Sequence, residues 1–288
     1  MNQNEGYAAI RKSLANNDNS FIRNDVRAKN NPYIFIVGNE KGGVGKTTCS
    51  IHLITYLLNE GYKVTSIDTD SRQASLTKYI QNRQEYNQRY NANPVSCPNH
   101  AHIECKDEQM QMSKLLDAIQ TTGFNSDYIV IDTPGNYSSL SKLAHSYADT
   151  VITPINDSLL DIDVIANIDP ENHSIISPSI YSQMLWEQKL ERMKRDQKPI
   201  EWILLRNRLS NIHAKNKQIV SQILEKLSKR IGFKVAPAFS ERVIFKELFL
   251  QGLTLADLPN ANTNKPFSIS HVAARQELRD FIEYCMHK

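Results

Sequence analysis

Gly38-Asn39-Glu40-Lys41-Gly42-Gly43-Val44-Gly45-Lys46-Thr47-Thr48 lies between two segments of opposite character. Before it, Tyr33–Val37 (YIFIV) is a short apolar, β-rich run and reads as a buried strand. After it, Thr47–Asn59 carries Ile51, Ile54, Leu57 and Leu58 at helical spacing, and Gly61 closes that helix as its C′ residue. A glycine-rich turn between a strand and a helix is the context that a phosphate loop requires. Gly42, Gly43 and Gly45, with Val44 among them, let backbone N–H groups converge on phosphate oxygens without a Cβ in the way. The helix N-terminus at Lys46, Thr47 and Thr48 adds partial positive charge. Lys46 is the residue that reaches the β- and γ-phosphates, and Thr47 offers a hydroxyl to Mg²⁺.

The motif departs from the usual spacing, because Glu40 stands where the first glycine of G-x4-G-K-[ST] belongs. Immediately after it comes a second lysine, Lys41. One lysine already serves the bound phosphates, so a second suits a contact across a dimer with the partner's nucleotide, as an arginine finger acts in trans. Three acids end apolar runs: Asp68 and Asp70 in IDTDSRQ, and Asp132 in YIVIDTPG. Parallel strands bring their C-terminal ends to one edge, beside the loop. Mg²⁺ is held by few protein ligands and several waters, so these acids act on it directly or through water, and one near the γ-phosphate positions the attacking water. A dinucleotide fold is the rival reading. It lacks G-x-G-x-x-G here and leaves Lys46 and Thr47 without a task.

The remaining chain supports an α/β fold with a mostly parallel central sheet flanked by helices. Lys63–Ile67, Tyr128–Ile131, Thr150–Thr153 and Trp202–Leu205 read as further strands separated by helical stretches. Residues 1–31 are Asn-rich and read as a flexible arm with a short helix near Tyr7–Leu14. Residues 32–288 read as a single domain. With 288 residues, 40% apolar and 23% charged, the chain can bury a sizeable core. It has no run of about 18 apolar residues and no apolar segment near Met1, and its four cysteines do not suggest a disulfide framework. These features point to the cytoplasm.

KGGVGKTT, with Asp68-x-Asp70 and Asp132-Thr133-Pro134-Gly135, resembles the ParA/MinD family of deviant-Walker P-loop ATPases. Within it, the chain is most similar to the MipZ-type ATPases that position the division plane. That likeness runs through GNEKGG, Asp70-Ser71-Arg72-Gln73, Ile155-Asn156-Asp157-Ser158, Leu205-Arg206-Asn207-Arg208-Leu209, Arg242-Val243-Ile244 and Ala273-Ala274-Arg275-Gln276-Glu277-Leu278. The resemblance implies Mg-ATP as ligand and an ATP-dependent homodimer. It implies that Lys41 crosses to the partner's phosphates, that Asp70 orients the hydrolytic water, that Asp68 and Asp132 hold the Mg²⁺ water shell, and that Asn207 sits at the adenine. It further implies non-specific DNA binding by the ATP dimer, interaction with ParB, inhibition of FtsZ assembly and a location at the nucleoid or pole. The alternative within the family is a ParA-type chromosome or plasmid partitioning ATPase. The arm at 1–31 and the segment from about Gln88 to Gln111 depart from the family's pattern.

Three further signals are weaker. From Lys189 to Lys234 thirteen Lys/Arg face four acids, a local +9 on a chain of net +3. With the resemblance, this region becomes a phosphate-contacting surface through Arg206, Arg208, Lys215, Lys217 and Arg230. A helix near Ala214–Lys229 is expected there, burying Ile219, Val220, Ile223, Leu224 and Leu227. Cys97, His100, His102 and Cys105 are zinc-ligand types at close spacing, but no C-x2-C pair is present, and a surface loop with incidental ligand types is the favoured reading. His271–Lys288 reads as a final helix packed on the core, because Glu277, Asp280 and Glu283 balance its basic residues. No stable membrane anchor is expected.

Overall fold

The structure is a computed structural model that describes residues 32–169, 171–172, 174–209, 214–240, 242–259, 261 and 269–286. The flexible-arm reading of residues 1–31 lies outside the described residues. The strands are β1 (Tyr33–Val37), β2 (Val64–Asp68), β3 (Asn99–His102), β4 (Tyr128–Asp132), β5 (Thr150–Asn156), β6 (Ala166–Ile168), β7 (Ile175–Pro178), β8 (Glu201–Asn207) and β9 (Lys234–Val235). The helices are α1 (Lys46–Asn59), α2 (Ser75–Arg89), α3 (Glu108–Asp117), α4 (Ser139–Tyr147), α5 (Leu159–Ile162), α6 (Ile180–Asp196), α7 (Ala214–Leu227), α8 (Val243–Phe249) and α9 (Ile269–Cys285). Among the described residues, one seven-stranded sheet runs in the order β3-β2-β4-β1-β5-β8-β9, and every pairing in it is parallel. β6 and β7 form a separate antiparallel pair.

Parallel strands buried on both faces need apolar residues at nearly every position, and β1 shows why. Ile34 and Ile36 face one core layer, and Phe35 and Val37 face the other. α4, α6 and α7 cover the first face, through Ala144, Tyr147, Met184, Leu185, Val220, Ile223, Leu224 and Leu227. α1, α2 and α9 cover the second, through Leu53, Ile54, Leu57, Leu76, Tyr79, Ile80, Ala274, Leu278, Phe281 and Ile282. The last helix therefore lies on the core by its apolar face. Among the described residues, no helix is long and apolar enough to cross a membrane.

One expectation needs correction. The segment between α2 and α3 contains a strand rather than only a loop. β3 (NHAH) has no apolar alternation, but it adds to the sheet edge through register with β2, from Thr65 opposite Asn99 to Asp68 opposite His102. Backbone pairing, not side-chain burial, makes this strand.

Candidate functional site

The loop from Gly38 to Gly45 leaves the C-terminal end of β1, between β4 and β5. Gly43 and Gly45 sit at φ 75° and 93°, a left-handed region open to glycine at little cost. Gly45 is the N-cap of α1, and among the described residues no side chain caps that helix. Its first-turn N–H groups are left for a ligand, with the positive end of the helix dipole behind them. A Cβ at Gly45 would come within 2.1 Å of Asn207 Nδ2, so position 45 has no room for a side chain.

A cleft of about 280 Å³ opens over this loop. Gly42, Gly43, Gly45, Lys46, Thr47, Thr48, Asp70 and Asp132 line it. Lys46 is largely buried. Its ammonium donates to the Lys41 carbonyl at 2.7 Å, and burial lowers its pKa against the pull of Asp132 and Asp70. Thr47 Oγ1 donates to Asp132 Oδ2 at 2.6 Å, and Ser50 Oγ donates to Asp132 Oδ1 at 3.0 Å. Burial, opposed by these two bonds, pushes the Asp132 carboxyl up to about 7. Three strand ends are stitched together here. Thr69 Oγ1 donates to the Asp132 carbonyl at 2.8 Å, and Thr133 Oγ1 donates to the Val37 carbonyl at 3.0 Å. Gly135 lets its loop cross the phosphate loop, since a Cβ there would stand 3.1 Å from Gly42 N.

The other sequence-derived residues fall in distinct places. Asp70 lines the cleft, and its Oδ1 accepts the Arg72 and Gln73 N–H groups at 3.1 and 2.9 Å. Asp68 is fully buried and does not line it. Its carboxylate takes Asp70 N at 3.0 Å and both Thr77 N and Thr77 Oγ1 at 2.9 Å. Asn207 is buried against the loop, with Nδ2 donating to the Val44 carbonyl and Oδ1 accepting Arg208 N. Lys41 stays outside the phosphate cradle. Its ammonium is held by the Leu160 carbonyl at 2.5 Å and by Asp161 Oδ1 at 3.0 Å, within its own chain.

Sequence reasoning missed two supports. Tyr181 of α6 donates its hydroxyl to the Gly38 carbonyl at 2.9 Å, with His145 of α4 3.2 Å from the same hydroxyl. A Cβ at Gly38 would meet the His145 ring at 2.4 Å. Neither residue belongs to a local motif, so nothing in the sequence pattern marks them. Arg208, read as a DNA contact, is exposed and lines the cleft. Arg206 pairs with Asp157 and donates to Ser221 Oγ, which leaves it only 14% exposed. Arg192 and Arg195 are also buried, around Asp149 and Asp196. Three arginines of the basic stretch therefore turn inward, while Lys194, Lys198, Lys226, Lys229 and Lys234 stay exposed. Arg230 remains near the surface, donating to the Ile175 carbonyl at 3.3 Å, and the side chains of Lys215 and Lys217 lie outside the described residues. Cys97, His100, His102 and Cys105 do not converge; among the described residues no cluster of ligand types could hold a metal ion.

A parallel sheet with an uncapped helix N-terminus, a buried lysine and a threonine–aspartate pair at its switch edge has the geometry of a P-loop nucleotide-binding protein. The sequence profile described as "ATPase MipZ" matches residues 33–286, and the chain belongs to that family. A curated relative, the chromosome partitioning protein ParA of Myxococcus xanthus, is 26% identical over 150 residues, 42% of this chain and 51% of the relative. The chain thus spans about half the length of that relative. Solved structures share the fold. Apo McdA of Cyanothece aligns at TM-score 0.58 and 16% identity, over 88% of this chain and 99% of that one. A plasmid partition protein of Borrelia burgdorferi bound to AMPPNP aligns at 0.56 and 20%, over 89% and 99%. MinD of Pyrococcus horikoshii with Mg-ADP aligns at 0.54 and 16%, over 88% and 96%.

Proposed function

We propose that this chain is an ATP-dependent dimerising ATPase that regulates placement of the division site by inhibiting FtsZ assembly, and that its ATP dimer binds DNA without sequence preference. Membership of the MipZ family over residues 33–286 supports the biological setting. The observation that carries the switch is the separation of two lysines five positions apart. Lys46 lies buried in the cleft, whereas Lys41 is 38% exposed on its rim and held by Asp161. One lysine serves the nucleotide of its own chain; the other is free to exchange an internal carboxylate for a partner's phosphates.

In this reading the glycine loop and the α1 N-terminus hold the phosphates, Lys46 neutralises the β- and γ-oxygens, and Asn207 closes the nucleotide site beside Gly45. Thr47 and Asp132 fit a divalent cation: they already share a 2.6 Å bond, and Asp132 is a buried acid whose ionisation a cation would favour. Mg²⁺ held there supplies charge neutralisation on the transferring phosphoryl group. Asp68 serves indirectly, because its oxygens already accept three bonds. Asp70 orients the water that attacks the γ-phosphorus, with ADP as leaving group. Hydrolysis removes the γ-phosphate that Lys41 bridges and returns the dimer to monomers. The expected setting is cytoplasmic, at the nucleoid or pole, with ParB as a further partner.

FtsZ assembly followed by light scattering and microscopy tests this. Asp70→Ala should hold the ATP dimer and shorten or disperse filaments, and Lys46→Ala should leave them intact. Unaffected filaments with intact ATP-dependent dimerisation would leave the ATPase and remove the division role. The ParA-type partitioning reading, favoured by the Myxococcus relative, would then lead. For DNA, affinity for duplex should fall about 10³-fold or more between 50 and 200 mM salt if roughly six phosphate contacts form. Binding that ignores salt would exclude a phosphate-contacting surface.

A further inference from the structure

His100 lies on the edge strand β3, away from the phosphate cleft, and its ring joins a continuous chain of hydrogen bonds that ends at Asp70. Its Nδ1 is 2.9 Å from Ser66 Oγ, and its Nε2 is 3.0 Å from Thr77 Oγ1. Thr77, in the first turn of α2, has one hydroxyl proton, and it goes to Asp68 Oδ2 at 2.9 Å. The Thr77 oxygen is then an acceptor toward His100, so Nε2 carries a proton and donates it to Thr77. On the other side, Asp68 Oδ1 accepts the backbone N–H of Asp70 at 3.0 Å. His102, two residues along the same strand, places Nε2 3.4 Å from the Asp70 carbonyl. Both backbone polar groups of Asp70 are thus reached from the β2–β3 edge. Among the described residues, Asp70 Oδ1 takes two backbone donors and Oδ2 takes none.

We infer that His100 is a positioning residue for Asp70, acting through Thr77 and Asp68 to set the backbone, and so the carboxylate, that faces the phosphate cleft. This rests on the proposed role of Asp70 in orienting the hydrolytic water. Asp68 alone constrains Asp70 only as well as Asp68 is itself held. Two of its three bonds come from Thr77, whose hydroxyl is oriented by the His100 N–H.

Single-turnover ATP hydrolysis at saturating protein, with nucleotide affinity and thermal melting measured in parallel, tests the chain of bonds. His100→Leu should slow hydrolysis about tenfold, the scale of a lost outer support, while nucleotide affinity stays within about twofold. His100→Gln keeps an N–H near the Nε2 position and should recover most of the rate. Thr77→Val should slow hydrolysis to a similar degree, and adding His100→Leu to it should cost nothing more, because both act through one hydroxyl. Asp70→Ala is the reference. If Asp70→Ala is slow and His100→Leu is not, the inference fails and the role of Asp70 stands. If Asp70→Ala hydrolyses normally, the role of Asp70 fails first. A loss that His100→Gln does not recover, or that adds in full to Thr77→Val, marks a general packing role and overturns the inference. If His100→Leu melts below the assay temperature, the comparison of His100→Gln with Thr77→Val decides.

Discussion

Asp68 and Asp132 stand opposite each other in register at the ends of two adjacent parallel strands, both buried, and they do different work. The end of β2 is a structural junction. Asp68 accepts two backbone N–H groups and one hydroxyl, anchoring the first turn of α2 and the backbone of Asp70. The end of β4 is an unfinished site. Among the described residues, the Asp132 carboxylate accepts only the rotatable hydroxyls of Thr47 and Ser50, and burial holds it at about 7. A carboxylate whose oxygens are taken up by backbone donors is committed to the fold, whereas one that meets hydroxyls in a dry place resists ionisation until a cation arrives. Burial alone does not tell a cap from a ligand; the identity of the donors does.

The largest expected effect separates the two ends by function. Asp132→Asn should cut ATP hydrolysis about a hundredfold without lowering thermal stability, since a neutral amide removes a buried charge. Asp68→Ala should act chiefly on the fold, lowering the unfolding free energy by about 2–3 kcal/mol through the donors it leaves unpaired, read from urea unfolding. Equal losses of stability from both substitutions would break the contrast. The pH dependence of stability is expected to sharpen it. His52 and His145 are buried and pushed down to about 4, against an ordinary value of 6.5. Between these values the unfolded chain binds the extra protons, so both rings contribute stability that is complete above about 6.5 and lost as pH falls toward 4. Asp132 runs the other way, because its proton belongs to the folded state below about 7. Melting temperature should therefore fall more steeply from pH 6.5 to 4.5 in Asp132→Asn than in the unaltered chain. A parallel pair of profiles would place that acid in an ordinary environment. The smallest effect is at the cleft rim: Asp161→Ala should change stability by less than about 1 kcal/mol, since its partner Lys41 is part-exposed. It should also favour ATP-dependent dimerisation, seen by analytical ultracentrifugation, by releasing that lysine.

The strands that position the site were legible because they are apolar on both faces: YIFIV at β1 and YIVI at β4 state their burial directly. The phosphate loop was legible because glycine spacing and Lys46-Thr47 are local properties. β3 was not, because a polar edge strand is held by its neighbour's backbone. Nor was the fate of the basic stretch. Composition counts thirteen cations between Lys189 and Lys234, but Arg192 folds inward onto Asp149, which in turn accepts the Ile34 N–H at 2.8 Å.

By itself, the sequence determined the α/β class, the phosphate loop with its two lysines, and the three acids at strand ends, because each depends on backbone preferences and periodicity within a few residues. The tertiary structure decided which acid caps a helix and which lies open to a cation, that Lys41 rests on Asp161, that Tyr181 braces Gly38, and that His100 reaches toward Asp70. Those outcomes join residues from 9 to 143 positions apart. Their partners are chosen by the packing of helices on a shared sheet, which no local pattern encodes.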